Sequence, residues 1–97
     1  MEIENVQIDV RIDEVMQDSK HHLRALASVR LDRLWAVHGI KVLDGKGGLY
    51  VLMPQRKVPS PVGVQFVDVF HPLSAAARRK LTEAVLDEYR RTVKGEA

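Results

Sequence analysis

Residues 34–53, LWAVHGIKVLDGKGGLYVLM, contain two apolar runs separated by a glycine-rich segment. The first run, residues 34–43, has apolar residues at positions of both parities, which is typical of a central strand covered on both faces. Three glycines within residues 44–48 supply the positive φ angles that a tight hairpin needs. The second run, residues 49–53, is therefore predicted to be the returning strand of an antiparallel hairpin.

Two further strands are predicted before this hairpin and one after it. Apolar residues alternate with polar residues over 6–12 and again over 23–31, a period of two that predicts strands with one buried face. The polar residues 13–22 between them predict a loop. Residues 64–70 predict a fifth strand, and residues 54–63, which contain three prolines, predict an exposed loop.

A single helix is predicted after the last strand. Ser74 stands at an N-cap position, strong helix formers follow from Ala75, and Gly95 is placed to end the helix. Apolar residues recur at helical spacing and define the face expected to be buried: Ala77, Leu81, Ala84, Val85 and Tyr89. The pattern predicts an α+β fold, an antiparallel sheet of about five strands with the C-terminal helix packed on one face.

Length and composition narrow the class of protein. With 97 residues, 45% of them hydrophobic and 29% charged, the chain is expected to form one domain over residues 1–97. No apolar run approaches the ~20 residues of a membrane span, and the acidic, alternating start is unlike a signal peptide. The absence of cysteine excludes disulfide frameworks and thiolate metal sites and favours a cytoplasmic location.

The charge is unevenly distributed, although the net charge is only +2. Residues 1–19 carry six acidic residues against one arginine, a net charge of −5. Residues 20–97 carry fourteen Lys and Arg against seven Asp and Glu, a net charge of +7. This asymmetry predicts either a polarised surface with a basic side suited to polyanions or simple local variation of surface charge.

Two basic clusters are the strongest candidates for a binding site. Arg56 and Lys57 lie in the predicted proline-flanked loop, where nothing structural calls for charge. Arg78, Arg79 and Lys80 lie near the start of the helix, where the helix dipole makes cations mildly unfavourable. Because Lys/Arg clusters and helix N-termini both bind phosphate groups, phosphate contacts are predicted at these five positions. The alternative is a solvated basic face with no ligand.

The histidines and aromatic residues give little indication of catalysis or of a cofactor. His38 and His71 lie in or beside strands and could meet in space, but no nucleophile motif or metal-ligand spacing accompanies them. His71 is more simply explained by a hydrogen bond at the strand-to-helix corner. Trp35 and Tyr50 could stack on single-stranded nucleic acid, although core packing is the simpler role. We therefore expect no enzyme activity, cofactor or metal.

Beyond these patterns, the chain from residue 31 to residue 89 resembles the stage V sporulation protein G (SpoVG) family, also called septation protein G. The matching segments are LD (31–32), VHGIKVL (37–43), GLYVLMP (48–54) with the basic pair Arg56-Lys57, HPL (71–73) and AVLDEY (84–89). The segments span more than half of the chain, in the order of the family and with similar gaps. The run GLYVLMP followed by a basic pair is the most specific of them.

The resemblance implies a small α+β protein that dimerises. Members of the family are tied to sporulation, septum formation and control of gene expression, and several bind DNA or RNA through a basic loop and the C-terminal helix. Carried to this chain by position, this implies nucleic-acid contacts at Arg56, Lys57, Arg78 and Lys80, with Arg79 added by adjacency. We therefore expect a cytoplasmic, homodimeric, non-enzymatic regulator that binds DNA and also RNA.

An alternative is a protein–protein interaction module of the division or sporulation machinery, whose basic surface meets an acidic protein partner. The low net charge of +2 keeps this alternative open. The two hypotheses are separated by the position of the acidic first strand, because an acidic strand beside the basic helix would repel phosphate. A dimer also has a physical motive, since residues 49–53 are apolar and a bare strand edge of this kind aggregates.

Overall fold

Four strands in one sheet, a separate two-stranded hairpin and one long helix make up the structure, a computed structural model that describes residues 2–17 and 21–95. The elements are the 3-10 turn Ile3–Asn5, β1 (Ile8–Val15), β2 (Leu23–Leu31), β3 (Trp35–Gly45), β4 (Gly48–Leu52), β5 (Gln55–Ser60), β6 (Gly63–Asp68) and α1 (Ala75–Gly95). The sheet is antiparallel in the order β1-β2-β3-β4. No helix within these described ranges is long and apolar enough to cross a membrane.

The α+β prediction is confirmed, and several elements have the predicted bounds. Strand β2 covers the predicted residues, and the hairpin between β3 and β4 closes at the pair Gly45–Gly48, as its glycines predict. The helix begins at Ala75, and Ser74 caps it, because the Ala77 amide donates a hydrogen bond to Ser74 Oγ at 3.1 Å. Such a cap contributes about 1 kcal/mol to helix stability.

The predicted loop over residues 54–63 is wrong. Residues Gln55–Ser60 form β5, which pairs with β6, and the hairpin turn is only Pro61 and Val62. The prolines do not prevent this, because Pro59 lies on an edge strand and Pro61 at a turn position that favours proline. The predicted fifth strand therefore pairs within this hairpin, and the sheet itself has four strands.

The loop predicted for residues 13–22 is also partly wrong, because β1 continues through Asp13 to Val15. Residues 18–20 of that prediction lie outside the described residues. The reason for the longer strand is a bulge. Asp13 is inserted between the pairs Ile12–Ala27 and Glu14–Leu26, so the alternation ends while the strand pairing continues.

The core lies between one face of the four-stranded sheet and the helix. Its buried side chains are Ala25, Ala27, Val29, Ile40, Val42, Met53, Leu81 and Val85. The strand residues come from alternate positions and the helix residues are spaced by four, so each element presents one apolar face. Burial of a Val or Ile side chain of this kind contributes about 1.5–3 kcal/mol. The other face of the sheet is not covered by the helix.

Strands β5 and β6 extend away from this core as a hairpin arm, defined here as residues Gln55–Asp68. The two strands pack against each other, and neither packs against the sheet or the helix. Val62, Val64 and Phe66 of the arm are 89%, 62% and 60% exposed. The arm therefore exposes apolar side chains to solvent and does not pack against the core.

Candidate nucleic-acid interface

The basic pair of the arm is exposed and unneutralised. Arg56 and Lys57 are consecutive residues of β5, so their side chains leave opposite faces of the hairpin. Lys57 Nζ lies 6.0 Å from the ring centroid of Phe66, its cross-strand neighbour. Neither basic side chain forms an ion pair with any residue in ranges 2–17 and 21–95. Both charges are available to a ligand.

The helix start carries two more unneutralised cations. Arg78 and Arg79 are exposed and form no ion pair with the residues that the structure describes. The arginines at the other end of the helix differ. Arg90 pairs with Asp87 at 3.6 Å and Arg91 pairs with Glu88 at 3.3 Å.

Lys80 is placed differently from its two neighbours. Its side chain is half-buried, and Nζ donates hydrogen bonds to the Ile3 carbonyl oxygen at 2.7 Å and to the Val6 carbonyl oxygen at 2.6 Å. Two of the three N–H groups of the ammonium are thus used within the chain. Lys80 fastens the 3-10 turn Ile3–Asn5 to the helix.

The acidic segment before β1 lies beside the helix start. Glu2 and Glu4 border a shallow depression together with Ser74 and Ala77. Their negative charges lower the electrostatic potential at the helix start, whereas Arg78 raises it. The helix start is therefore less favourable for a phosphate group. The acidic residues within β1 have a different position. Asp9 lies opposite Arg30 in the register of β1 and β2, on the sheet face that points away from the helix.

The five predicted contact residues form two separate patches. The arm bears Arg56 and Lys57, and the helix start bears Arg78, Arg79 and Lys80, while the arm and the helix do not contact each other. A ligand that contacts both patches of one chain must therefore be long enough to reach from one to the other. A polymer meets this requirement more readily than a small anion.

The aromatic residues do not form a stacking platform. Trp35 is 64% exposed and Tyr50 is 47% exposed, so the expected core packing of these two side chains is wrong. Trp35 is the first residue of β3, whereas Tyr50 lies on β4 and pairs with Leu43, near the other end of β3. One strand of nucleic acid could not stack on both without crossing the sheet.

A polar cluster on the uncovered face of the sheet was not predicted as a unit from the sequence. Ser28 is the only buried polar side chain in ranges 2–17 and 21–95. Its hydroxyl is hydrogen-bonded to Asp13 Oδ2 and lies 2.8 Å from His38 Nδ1.

His71 is not part of this cluster. It makes the predicted corner hydrogen bond, from Nδ1 to the Pro72 carbonyl oxygen at 3.1 Å.

Two β-bulges bring this cluster together. Asp13 is the extra residue of β1, and His38 and Gly39 together oppose Ser28 in the pairing of β2 with β3. A bulge bends its strand and redirects a side chain. The Ser28 hydrogen bond is the main reason that the pKa of Asp13 lies below its usual value. Burial opposes this effect, and Arg11 and His38 add smaller contributions that lower the pKa.

The fold and its surface define a small α+β protein with an exposed basic arm, a class that the comparisons with known proteins narrow to one family. The family profile described as SpoVG matches residues 1–91. The chain belongs to the SpoVG family.

Relatives of this family share about two fifths of the sequence. The septation protein SpoVG of Bacillus velezensis is 42% identical over 89 residues, covering 92% of this chain and 87% of the relative. That of Bacillus subtilis is 42% identical over 83 residues, covering 86% and 80%. That of Clostridium novyi is 41% identical over 81 residues, covering 84% and 76%. The resemblance inferred from the sequence is confirmed.

Proposed function

We propose that this protein is a cytoplasmic, homodimeric, non-enzymatic regulator that binds DNA and also RNA, with a role in gene regulation linked to sporulation and septation. The observation that carries the proposal is the exposed, unneutralised pair Arg56 and Lys57 on the arm. Cationic side chains on a protruding hairpin can follow a phosphate backbone without reading bases. Arg78 and Arg79 add a second contact, and Lys80 contributes mainly by holding the helix start in place.

Dimerisation is supported by two features of the chain. Val62, Val64 and Phe66 of the arm are exposed, and a two-stranded hairpin with no covered face is only marginally stable in water. Among the described strands, β4 pairs only with β3 and is an edge strand of the sheet, and its sequence, GLYVL, has no charge. A second copy would cover such surfaces and double the number of phosphate contacts on one duplex.

The proposal is tested by fluorescence anisotropy with labelled duplex DNA and labelled single-stranded RNA at low salt. We expect Arg56→Ala/Lys57→Ala to weaken binding by at least about tenfold, because each lost phosphate contact costs on the order of 1 kcal/mol. Arg78→Ala/Arg79→Ala should weaken it less, since Glu2 and Glu4 lie nearby.

The matched control is Arg90→Ala/Arg91→Ala, which removes the same charge from ion-paired positions of the same helix. It should bind within about twofold of the parent, because it removes charge but no proposed contact. An equal loss in all three double variants would assign the binding to net charge and contradict the proposed interface.

The alternative function is a protein–protein interaction module that uses the same basic arm against an acidic protein. The observation that favours it is the position of Glu2 and Glu4 beside the helix start, which leaves the helix less suited to a polyanion. If the parent protein binds neither DNA nor RNA at low salt, this alternative replaces the proposal. The arm variants then serve as negative controls in the search for an acidic partner.

A further inference from the structure

The hydrogen bonds of Ser28 fix the orientation of His38. A serine hydroxyl has one proton, and the carboxylate of Asp13 can only accept, so Ser28 donates to Asp13. The Ser28 oxygen must then accept from His38, which places a proton on Nδ1. The second nitrogen, Nε2, makes no hydrogen bond to any residue in the described ranges. His38 therefore presents one free nitrogen, Nε2, from a ring held by the sheet.

A depression of about 270 Å³ lies over this cluster on the uncovered face of the sheet. Its lining residues are Asp9, Val10, Arg11, Ser28, Arg30, Ala36 and His38. It is smaller than the roughly 300–1,000 Å³ of pockets for drug-sized molecules, which limits a ligand to a small group.

The carboxylates around the depression already have hydrogen-bond and ion-pair partners within the chain. Asp13 accepts from Ser28 and from Arg11 Nε, the latter at 2.7 Å. Asp9 accepts from the Gln7 side-chain amide at 3.2 Å and lies 3.9 Å from Arg33 Nε.

Among the described residues, the side chain of Arg30 has no ion-pair or hydrogen-bond partner. The guanidinium of Arg30 is thus an unused donor group of the depression, and Nε2 of His38 becomes a second donor when the imidazole is protonated. A guanidinium presents paired N–H groups that match the oxygens of a tetrahedral anion.

We propose that the depression formed by Arg30, Ser28, Ala36 and His38 is a binding site for a phosphate group. Arg30 binds two of its oxygens, and the protonated His38 donates from Nε2 to a third. The group can come from a free phosphate ester or from a phosphodiester of a nucleic acid. The site is on the face of the sheet opposite the helix, and it does not depend on the proposed function of the arm.

Binding at this site depends on pH, because Nε2 can donate only when the imidazole is charged. Histidines gain this proton between about pH 7 and pH 6. The charged and polar groups around His38 are Asp9, Arg11 and Asp13 from β1 and Ser28 and Arg30 from β2.

The test is an NMR chemical-shift titration of the backbone amides with sulfate, which keeps its double negative charge across the pH range used. We expect saturable shifts at Ser28, Ala36 and His38, and binding at least about threefold tighter at about pH 6 than at about pH 8. Arg30→Gln should weaken binding about tenfold. His38→Gln, which can still donate to Ser28 but does not titrate, should remove the pH dependence.

Lys41→Gln is the matched control, because Lys41 is an exposed cation on β3 outside the depression. The absence of saturable shifts with sulfate, or an equal loss in Lys41→Gln and Arg30→Gln, overturns the proposal. Separate titrations with glycerol phosphate and with a dinucleotide distinguish the two sources of the phosphate group. Either source supports the site, and failure of the arm to bind DNA leaves this result unaffected.

Discussion

Lys80 and Arg79 are adjacent in the sequence and equal in charge, but only one of them is free. The Lys80 ammonium is held by two carbonyl oxygens of the segment before β1, whereas Arg79 projects into solvent. Sequence reasoning predicts phosphate contact for both, because nothing in a basic run shows which member the chain itself uses. The partner of Lys80 is more than seventy residues away in sequence.

We predict opposite effects for a matched pair of substitutions at these positions. Lys80→Met keeps the aliphatic part of the side chain and should lower the free energy of unfolding by about 1–3 kcal/mol, since it leaves two carbonyls without their charged donor. Arg79→Met should leave stability within about 0.5 kcal/mol of the parent but weaken binding to DNA. Urea denaturation and anisotropy measure the two effects. Equal stability of both variants would contradict this account of Lys80.

The bulge in β3 depends on Gly39, whose φ is +81°. A side chain is strained in this conformation, so Gly39→Ala should lower the free energy of unfolding by about 1–2 kcal/mol. Gly47→Ala is the control, because Gly47 lies in an open turn without a positive φ and without neighbours within 4 Å of an added Cβ. Urea denaturation of the two variants measures the difference. A Gly39→Ala protein as stable as the control would show that the bulge can relax.

The hydrogen bond of Asp13 predicts a pH effect on stability. Because the pKa of Asp13 is lower in the folded chain, its contribution is fully present above the unfolded value of about 4 and is lost as pH falls through the folded value. The parent should therefore be more stable than Asp13→Asn at neutral pH, and the difference should shrink below about pH 4. Thermal unfolding of both proteins from pH 7 to pH 3 measures it. A difference that is independent of pH would contradict the assignment.

At the scale of the elements, the sequence predicts what packs against the core. Strand β2, the β3–β4 hairpin and α1 each bury one face, and burial imposes the periodicity that makes them visible. Strand β5 buries neither face, so its sequence, QRKVPS, does not alternate between apolar and polar residues. Its proline also favours a loop, which is why the sequence predicts a loop here. The Asp13–Ser28–His38 cluster cannot be predicted from the sequence for a related reason. The two bulges that form it interrupt the period of two.

The exposed apolar surface of the arm predicts the oligomeric state. We expect the parent to be a dimer in size-exclusion chromatography with light scattering at micromolar concentration. Val64→Ser/Phe66→Ser should convert it to a single species of 11.0 kDa, because the substitutions remove the apolar area that a second copy would cover. Val93→Ser, an exposed apolar position on the helix, is the control. A monomeric parent would contradict the proposed dimer.

At the scale of the whole molecule, the uneven charge of the sequence is only partly separated in space. Glu2 and Glu4 lie beside the basic helix start, and the acidic residues of β1 share the uncovered sheet face with Arg11 and Arg30. The basic pair of the arm has no ion-pair partner among the residues that the structure describes. A charge count along the chain predicts the residues of the candidate interface, but only the fold shows that the helix start has acidic neighbours.

The measurement that tests the central proposal most directly is the salt dependence of nucleic-acid binding. Anisotropy with labelled duplex DNA over a salt series should give a linear plot of log K against log salt, with a slope of about −3 to −4 per protomer, since each neutralised phosphate contributes about −0.9. Arg56→Ala/Lys57→Ala should make that slope shallower by about 2. No binding at low salt, or a slope unchanged by the double substitution, would contradict the proposal that the arm contacts the phosphate backbone.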